Sequence, residues 1–272
     1  MKTDKVVTHI THWLKEYAHQ AGAKGFIIGI SGGIDSAVTS TLCALTGLKT
    51  VCVSMPIHQK TDQLQRANEH IEWLKKKFNN ISSLETDLTR SFEIYKSSLP
   101  ATTTAHLLSM ANTRARLRMV TLYALGQSEG LLVAGTGNKI EDFGVGFFTK
   151  YGDGGVDISP IADLTKTQIY ELAKHLEIID SIQKANPTDG LFDIERTDEA
   201  QLGATYPELE WAMRFVNEEL KMKSEKLVLS EMKQDGLSQR QKEVLAIYIK
   251  FHNQNKHKMV AVPVCDIPRE LL

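Results

Sequence analysis

The sequence predicts an α/β fold in which a parallel sheet carries helices on both faces. Three observations predict it. Phe26, Ile27, Ile28, Gly29 and Ile30 form a short, β-branched apolar run between Gly25 and a glycine turn, which reads as a buried strand. Thr50 to Met55 is a second such run, ended by Pro56. Each is followed by apolar residues at helical spacing, first Ala37, Val38, Leu42 and Leu45, then Leu64, Ala67, Ile71, Leu74 and Phe78. Strand–helix–strand–helix alternation makes parallel strands, because each crossover helix packs back onto the sheet. In such sheets ligands bind beyond the carboxyl ends of the strands.

The remaining elements follow in order. Val6, Ile10, Trp13, Leu14 and Tyr17 fall on one face of an opening amphipathic helix, with His9, His12 and His19 on its solvated side. Lys75, Lys76 and Lys77 close the second crossover helix, where cations suit the dipole. A long helical pattern covers residues 105–127, interrupted at Gly126. Within it Arg114 and Arg118 share a face and read as solvated arginines. Asn112 and Arg116 share another, as an amide–guanidinium fork suited to a carboxylate or phosphate. Leu131 to Ala134 is the next buried strand. Thr165 caps a helix over residues 169–176, and residues 209–220 and 238–251 read as C-terminal helices. Residues 186–190 are a turn cluster, and Lys256, His257 and Lys258 read as a basic surface tail.

Composition narrows the function classes. The 272 residues are 42% hydrophobic with a formal net charge of -1, enough for one large domain, residues 1–272, and unlike a protein built to grip nucleic acid. No apolar run reaches membrane-spanning length, and the N-terminus has no signal-peptide core. Cys43, Cys52 and Cys265 are far apart with no paired spacing, as in reduced cytoplasmic proteins. Cytoplasm is the expected location, with no membrane and no nucleic acid as partner.

The chemistry concentrates at two strand ends. Gly29, Ile30, Ser31, Gly32, Gly33, Ile34, Asp35 and Ser36 carry the first strand through a tight turn into a helix. Free N–H groups and a helix N-terminus meeting at one point make an anion site, with phosphate the natural anion. Asp35 beside a phosphate implies an intervening Mg²⁺. Gly135, Thr136, Gly137, Asn138 and Lys139 form a second glycine turn at the end of the next strand, followed by Glu141. Glu141 is either the second Mg²⁺ ligand, if the two strands are neighbours, or an N3 capping residue after Asn138. Residues 147–157 contain Lys150, Asp153, Asp157 and three glycines, a composition suited to a flap over a substrate. Lys166 lies at a helix start, the wrong end for a cation, which a nearby anion would explain.

S-G-G-x-D-S at residues 31–36 resembles the pyrophosphate loop of the N-type ATP pyrophosphatases, not the commoner G-x-x-x-x-G-K-[ST] loop. With N-T-R-A-R at 112–116, G-T-G-N-K-I-E at 135–141, F-F-T-K-Y-G-D-G-G-x-D at 147–157, L-T-K at 164–166, P-T at 187–188 and H-K at 257–258, the order resembles NAD synthetases across nearly the whole chain. The resemblance implies a single-domain, adenine nucleotide alpha hydrolase-like fold and a homodimer that amidates nicotinic acid adenine dinucleotide to NAD. It implies ATP on Gly29 to Ser36, Thr136, Lys166 and Thr188, and Mg²⁺ on Asp35 and Glu141. The deamido-dinucleotide would meet Arg116, Lys150, Asp157, His257 and Lys258. Asp35, Lys166 and a flap acid, Asp153 or Asp157, would do the chemistry. The stretch Asp189 to Ile194 departs from the family pattern, and Met259 stands where it has an arginine. A tRNA-modifying pyrophosphatase would want a basic face and a catalytic cysteine. The first helix begins too close to Met1 for the amidase domain of glutamine-dependent relatives, so free ammonia is the expected nitrogen donor.

Overall fold

The structure, a computed structural model, describes residues 1–59, 61–188, 197–220 and 234–271. Four strands, β1 (Gly25–Gly29), β2 (Lys49–Ser54), β3 (Ile81–Glu85) and β4 (Leu132–Val133), form one sheet in the order β3-β2-β1-β4. All three pairings are parallel. The alternation in the sequence therefore sets the topology, and β1 and β4, the strands bearing the two glycine turns, are neighbours.

Helices cover both faces. On one side α1 (Thr3–Gln20), α2 (Ile34–Leu45), α3 (Thr61–Lys77) and α7 (Lys166–His175) pack on Phe26, Ile28 and Ile30. On the other, α4 (Thr89–Ser97) and α6 (Leu107–Glu129) pack on Ile27, Val51 and Val53 through Phe92, Met119 and Leu122. Consecutive β1 residues thus enter opposite layers, the reason this strand reads as unbroken apolar sequence. Short helices α5 (Ala101–Thr104), α8 (Asp180–Gln183) and α9 (Asp198–Leu202) connect the larger elements. A third apolar cluster joins α10 (Tyr206–Leu220) and α11 (Gln239–Asn255) to a π-helical turn, Ile140–Val145. Among the described residues no helix is long and apolar enough to cross a membrane.

Several expectations are corrected. The edge strand β3 was not predicted, because its Ser82-Ser83 centre lacks the apolar run that marks a buried strand. The strand predicted at 131–134 is only Leu132–Val133, with Ala134 bridged to Ile158. The long helix is not broken at Gly126: any Cβ there would stand 2.7 Å from Ile27 Cγ2, so glycine lets α6 lie directly on β1. Trp13 and Tyr17, placed on the apolar face of α1, are 38% and 39% exposed and pack against each other, while Ile10 and Leu14 are buried. Arg114 is not solvated. It is 8% exposed, with its guanidinium 4.9 Å from the Phe92 ring centroid. Lys256–Lys258 is one ordered 3₁₀ turn closing α11, not a loose tail. Of the turn cluster predicted at 186–190, Asp189 and Gly190 lie outside the described residues, as does the departing stretch from Asp189 to Ile194.

Candidate active site

The β1 loop is shaped by its own hydroxyls. Ser36 Oγ donates to Gly33 O at 2.9 Å and lies 3.1 Å from Ser31 Oγ, and Gly33 N–H donates to Ser31 Oγ at 3.2 Å. Gly32 adopts φ +80°, where a Cβ would approach Gln63 O to 2.4 Å, so only glycine fits the turn. The two serines expected to face phosphate are thus also the braces of the loop that presents it. Asp35 follows in the first turn of α2.

Asp35 and Glu141 meet at one cation. Lys166 Nζ donates to Asp35 Oδ2 at 2.6 Å and to Glu141 Oε1 at 3.2 Å. The lysine side chain is 3% exposed, the carboxylates 17% and 15%. The misplaced cation of the sequence is therefore held by two acids from two other elements. Thr165 and Gln168 form a capping box at the start of α7, which fixes the direction in which Lys166 leaves it. Burial opposes the lysine's charge, but Asp35 and Glu141 outweigh it and hold the ammonium protonated. Burial pushes the Asp35 carboxyl up against the pull of Lys166, with Glu141 adding to the rise, because two negative charges share one positive charge there. The site thus carries a net negative charge and converging oxygen donors. Among the described residues there is no cluster of three metal-binding side chains. Two carboxylates completed by phosphate oxygens are a donor set that suits Mg²⁺.

Glu141 is not an N3 cap. Asn138 Oδ1 accepts from the N–H groups of Ile140 and Glu141, each at 3.1 Å, while the Glu141 carboxylate turns away to Lys166 and to Tyr206, whose hydroxyl donates to Oε1 at 2.6 Å. Asn138 Nδ2 reaches Asp35 Oδ1 at 3.4 Å, tying the two strand-end loops together. Burial, with Glu141 and Asp198 close by, keeps the Tyr206 phenol protonated as a donor.

A cavity opens over this point, and the predicted residues divide cleanly with respect to it. Gly29 to Ser36, Thr136, Lys166, Thr188, Glu141 and Asp153 all line it. Arg116, Lys150, Asp157, His257 and Lys258 do not. Arg118, expected to be solvated, also lines the cavity and donates from Nε to Met55 O at 3.0 Å.

The flap is anchored by the residues around it. Thr149 Oγ1 donates to Asn112 Oδ1 at 2.8 Å, and Arg116 Nε to Lys150 O at 3.2 Å, so the fork on α6 grips the flap's base. Lys258 Nζ donates to Gly146 O and Phe148 O, both at 2.7 Å, securing it from the other side. Lys150 Nζ sits 5.5 Å from the Tyr151 ring, and His257 is exposed beside Gln254 O. The two flap acids differ. Asp157 accepts from Tyr123 OH of α6 at 3.0 Å and from Val133 N–H of β4 at 2.8 Å, which engages both of its oxygens. Asp153 accepts from Thr149 N–H at 3.0 Å and opens onto the cavity, where burial pushes its carboxyl up to about 6.

Sequence reasoning missed Tyr206, Glu210 and Asp142. Glu210 is buried and accepts from Thr167 N–H and Oγ1 at 2.9 and 2.7 Å, fixing the start of α7 beside Lys166. Asp142 lines the cavity on the π-helical turn, and burial with Glu141 nearby pushes its carboxyl up to about 7. A π-helical turn at a functional site is a recurring signal, but it has no reliable sequence mark. Cys43 and Cys52 are buried, with thiols pushed up by burial, so neither is a nucleophile.

A family model described as NAD synthase matches residues 6–260. The NH(3)-dependent NAD(+) synthetase of Mycoplasma genitalium is 38% identical over 224 residues, 82% of this chain and 86% of that protein. That of Methanosarcina acetivorans is 32% identical over 271 residues, 98% of this chain and 100% of its own. Among solved structures, an NMN synthetase from Francisella tularensis superposes with a TM-score of 0.80 at 31% identity, covering 98% of this chain and 100% of that one. With the strand-end loops, Lys166 and the flap all in place, the chain belongs to the NAD synthase family.

Proposed function

We propose that the protein is a ligase that amidates nicotinic acid adenine dinucleotide to NAD with ammonia, consuming ATP and releasing AMP and pyrophosphate. The observation that carries this reading is the convergence of Lys166, Asp35 and Glu141 beside the β1 loop, with Asp153 opening onto the same cavity.

A carboxylate resists ammonia because it has no acceptable leaving group. Activation therefore comes first: a nicotinate oxygen attacks the α-phosphorus of ATP, and the bond to the β-phosphate oxygen breaks. The β1 loop holds the pyrophosphate that departs. Lys166 sits where negative charge builds on the α-phosphoryl oxygens and the leaving group. Asp35 and Glu141 would hold Mg²⁺, which would supply further neutralisation of that charge. Ammonia nitrogen then attacks the carbonyl carbon, the C–O bond to AMP breaks, and a proton is lost from nitrogen. Asp153 is the flap acid suited to accept it, since Asp157 has its oxygens engaged by Tyr123 and Val133. The flap excludes water, which would otherwise hydrolyse the adenylate.

Arg116, Lys150, Asp157, His257 and Lys258, outside the cavity of one chain, suit a dinucleotide bound at a subunit boundary. Exposed Ile94, Tyr95, Leu107, Leu108 and Val120 on α4 and α6 give a second copy an apolar face to cover. A homodimer is expected by light scattering at working concentration, and a monomer overturns that assembly. Two buried thiols suit a reducing, cytoplasmic setting.

The likeness to an NMN synthetase favours a second reading, in which the acceptor is the deamidated mononucleotide. Purified protein with ATP, Mg²⁺ and ammonium chloride separates the two. Pyrophosphate release with the dinucleotide at a kcat/KM at least tenfold above the mononucleotide supports the first reading, and the reverse order establishes the second. Turnover should rise with pH as NH₃ replaces NH₄⁺. Equal turnover on ammonia-free glutamine, with no added partner, overturns the choice of nitrogen donor.

A further inference from the structure

We infer that Tyr206 is a positioning residue, whose hydroxyl fixes the Glu141 carboxylate so that it and Asp35 converge on one divalent cation. This rests on the reading of Asp35 and Glu141 as Mg²⁺ ligands. Tyr206 is the first residue of α10 and is 3% exposed. Its hydroxyl donates at 2.6 Å to Glu141 Oε1, the same oxygen that Lys166 reaches. Its ring centroid lies 4.6 Å from Lys166 Nζ, so one side chain touches both members of the pair. Asp198 Oδ2, at 3.3 Å, is the more distant acceptor, and the single phenolic hydrogen goes to Glu141.

The contact is part of a larger bracket. Glu210 lies one helical turn beyond Tyr206 on the same face of α10 and holds Thr167, next to Lys166, through two hydrogen bonds. Glu199 accepts from Tyr206 N–H at 2.9 Å, so the entry into α10 is itself fixed. The first two turns of α10 therefore set both the start of α7 and the direction of Glu141, which rides on a π-helical turn whose start is held by Asn138. Without the hydroxyl, Lys166 is left as the side-chain donor to Glu141 Oε1 among the described residues. A carboxylate free to turn loses much of its advantage as a preorganised ligand.

The test is a Mn²⁺ titration by electron paramagnetic resonance on the full chain with α,β-methylene-ATP. Wild type, Tyr206→Phe, Glu141→Gln and the double variant are compared. Tyr206→Phe keeps the ring in the α10–α11 cluster, so its melting temperature should stay within a few degrees of wild type. Both single variants are expected to weaken Mn²⁺ about tenfold, and the double variant no further than Glu141→Gln alone, because the hydroxyl acts through that carboxylate. The half-saturating Mg²⁺ concentration for turnover should rise in parallel, while KM for the pyridine nucleotide stays unchanged. Wild-type Mn²⁺ affinity in Tyr206→Phe, with Glu141→Gln weakened, overturns this inference and leaves the metal reading standing. Unchanged affinity in both overturns the metal reading and this inference with it. Additive losses in the double variant also overturn it.

Discussion

Asp35→Asn is expected to lower kcat/KM for ATP by about three orders of magnitude, with Glu141→Gln close behind, and neither should melt more than a few degrees below wild type. About a thousandfold corresponds to roughly 4 kcal/mol of lost transition-state stabilisation. That size is reasonable for a site that, on the proposed function, offsets charge on the phosphates of ATP. Both substitutions keep the shape of the side chain and remove its charge. Stability should change little because Lys166 keeps one carboxylate partner in either variant, Glu141 in the first and Asp35 in the second. Steady-state kinetics across a Mg²⁺ range, with thermal melts on the same samples, check the expectation. Near-wild-type turnover of either variant at saturating Mg²⁺ would show that the two strand-end acids do not share a cation.

What could be read from the sequence was what is local. Phe26 to Ser36 announces strand, turn and helix within eleven residues, and the structure keeps that order. Lys166 was legible as an anomaly: a cation at a helix start demands a negative partner, and the structure supplies two. Which two was settled only by the tertiary fold, since Asp35 is 131 residues away in sequence and meets Lys166 where α2 and α7 pack together, while the pairing of β1 with β4 brings in Glu141. Tyr206 and Glu210 gave no signal for the same reason. Their spacing marks only one helical face, and their partners lie 65 and 43 residues off. Arg114 and Arg118 were misjudged because residue type alone argued for solvent, whereas Phe92 and the Met55 carbonyl provide buried partners. The edge strand β3 escaped because an edge tolerates serine where a central strand does not.

Lys166→Met should be the most damaging single change, lowering kcat by about a thousandfold and the melting temperature as well. The kinetic part follows from removing the charge that, on the proposed function, offsets the α-phosphoryl oxygens. The stability part has a different cause. Asp35 and Glu141 would be left facing each other, mostly buried, with no cation between them. Breaking such a pair by deleting one partner costs on the order of 3 kcal/mol, or several degrees in melting temperature for a chain of this size. The pH dependence has a definite sign. Burial and the nearby Glu141 charge hold the Asp35 carboxyl above its unfolded value, and without Lys166 the folded variant binds a proton there more tightly than the unfolded chain. Its deficit relative to wild type is therefore smaller at pH 5 than at pH 8, because a raised carboxyl takes up its proton as the pH falls. Mg²⁺ should recover the melting temperature without recovering turnover, since it can occupy the space between the acids but cannot replace an ammonium directed at the phosphate. Lys166→Arg should keep most of the stability and little of the rate, because a planar fork does not fit a point between two carboxylates. Melts at pH 5 and pH 8, with and without Mg²⁺, read these expectations together. A Lys166→Met enzyme with more than a tenth of wild-type kcat would remove Lys166 from the chemistry.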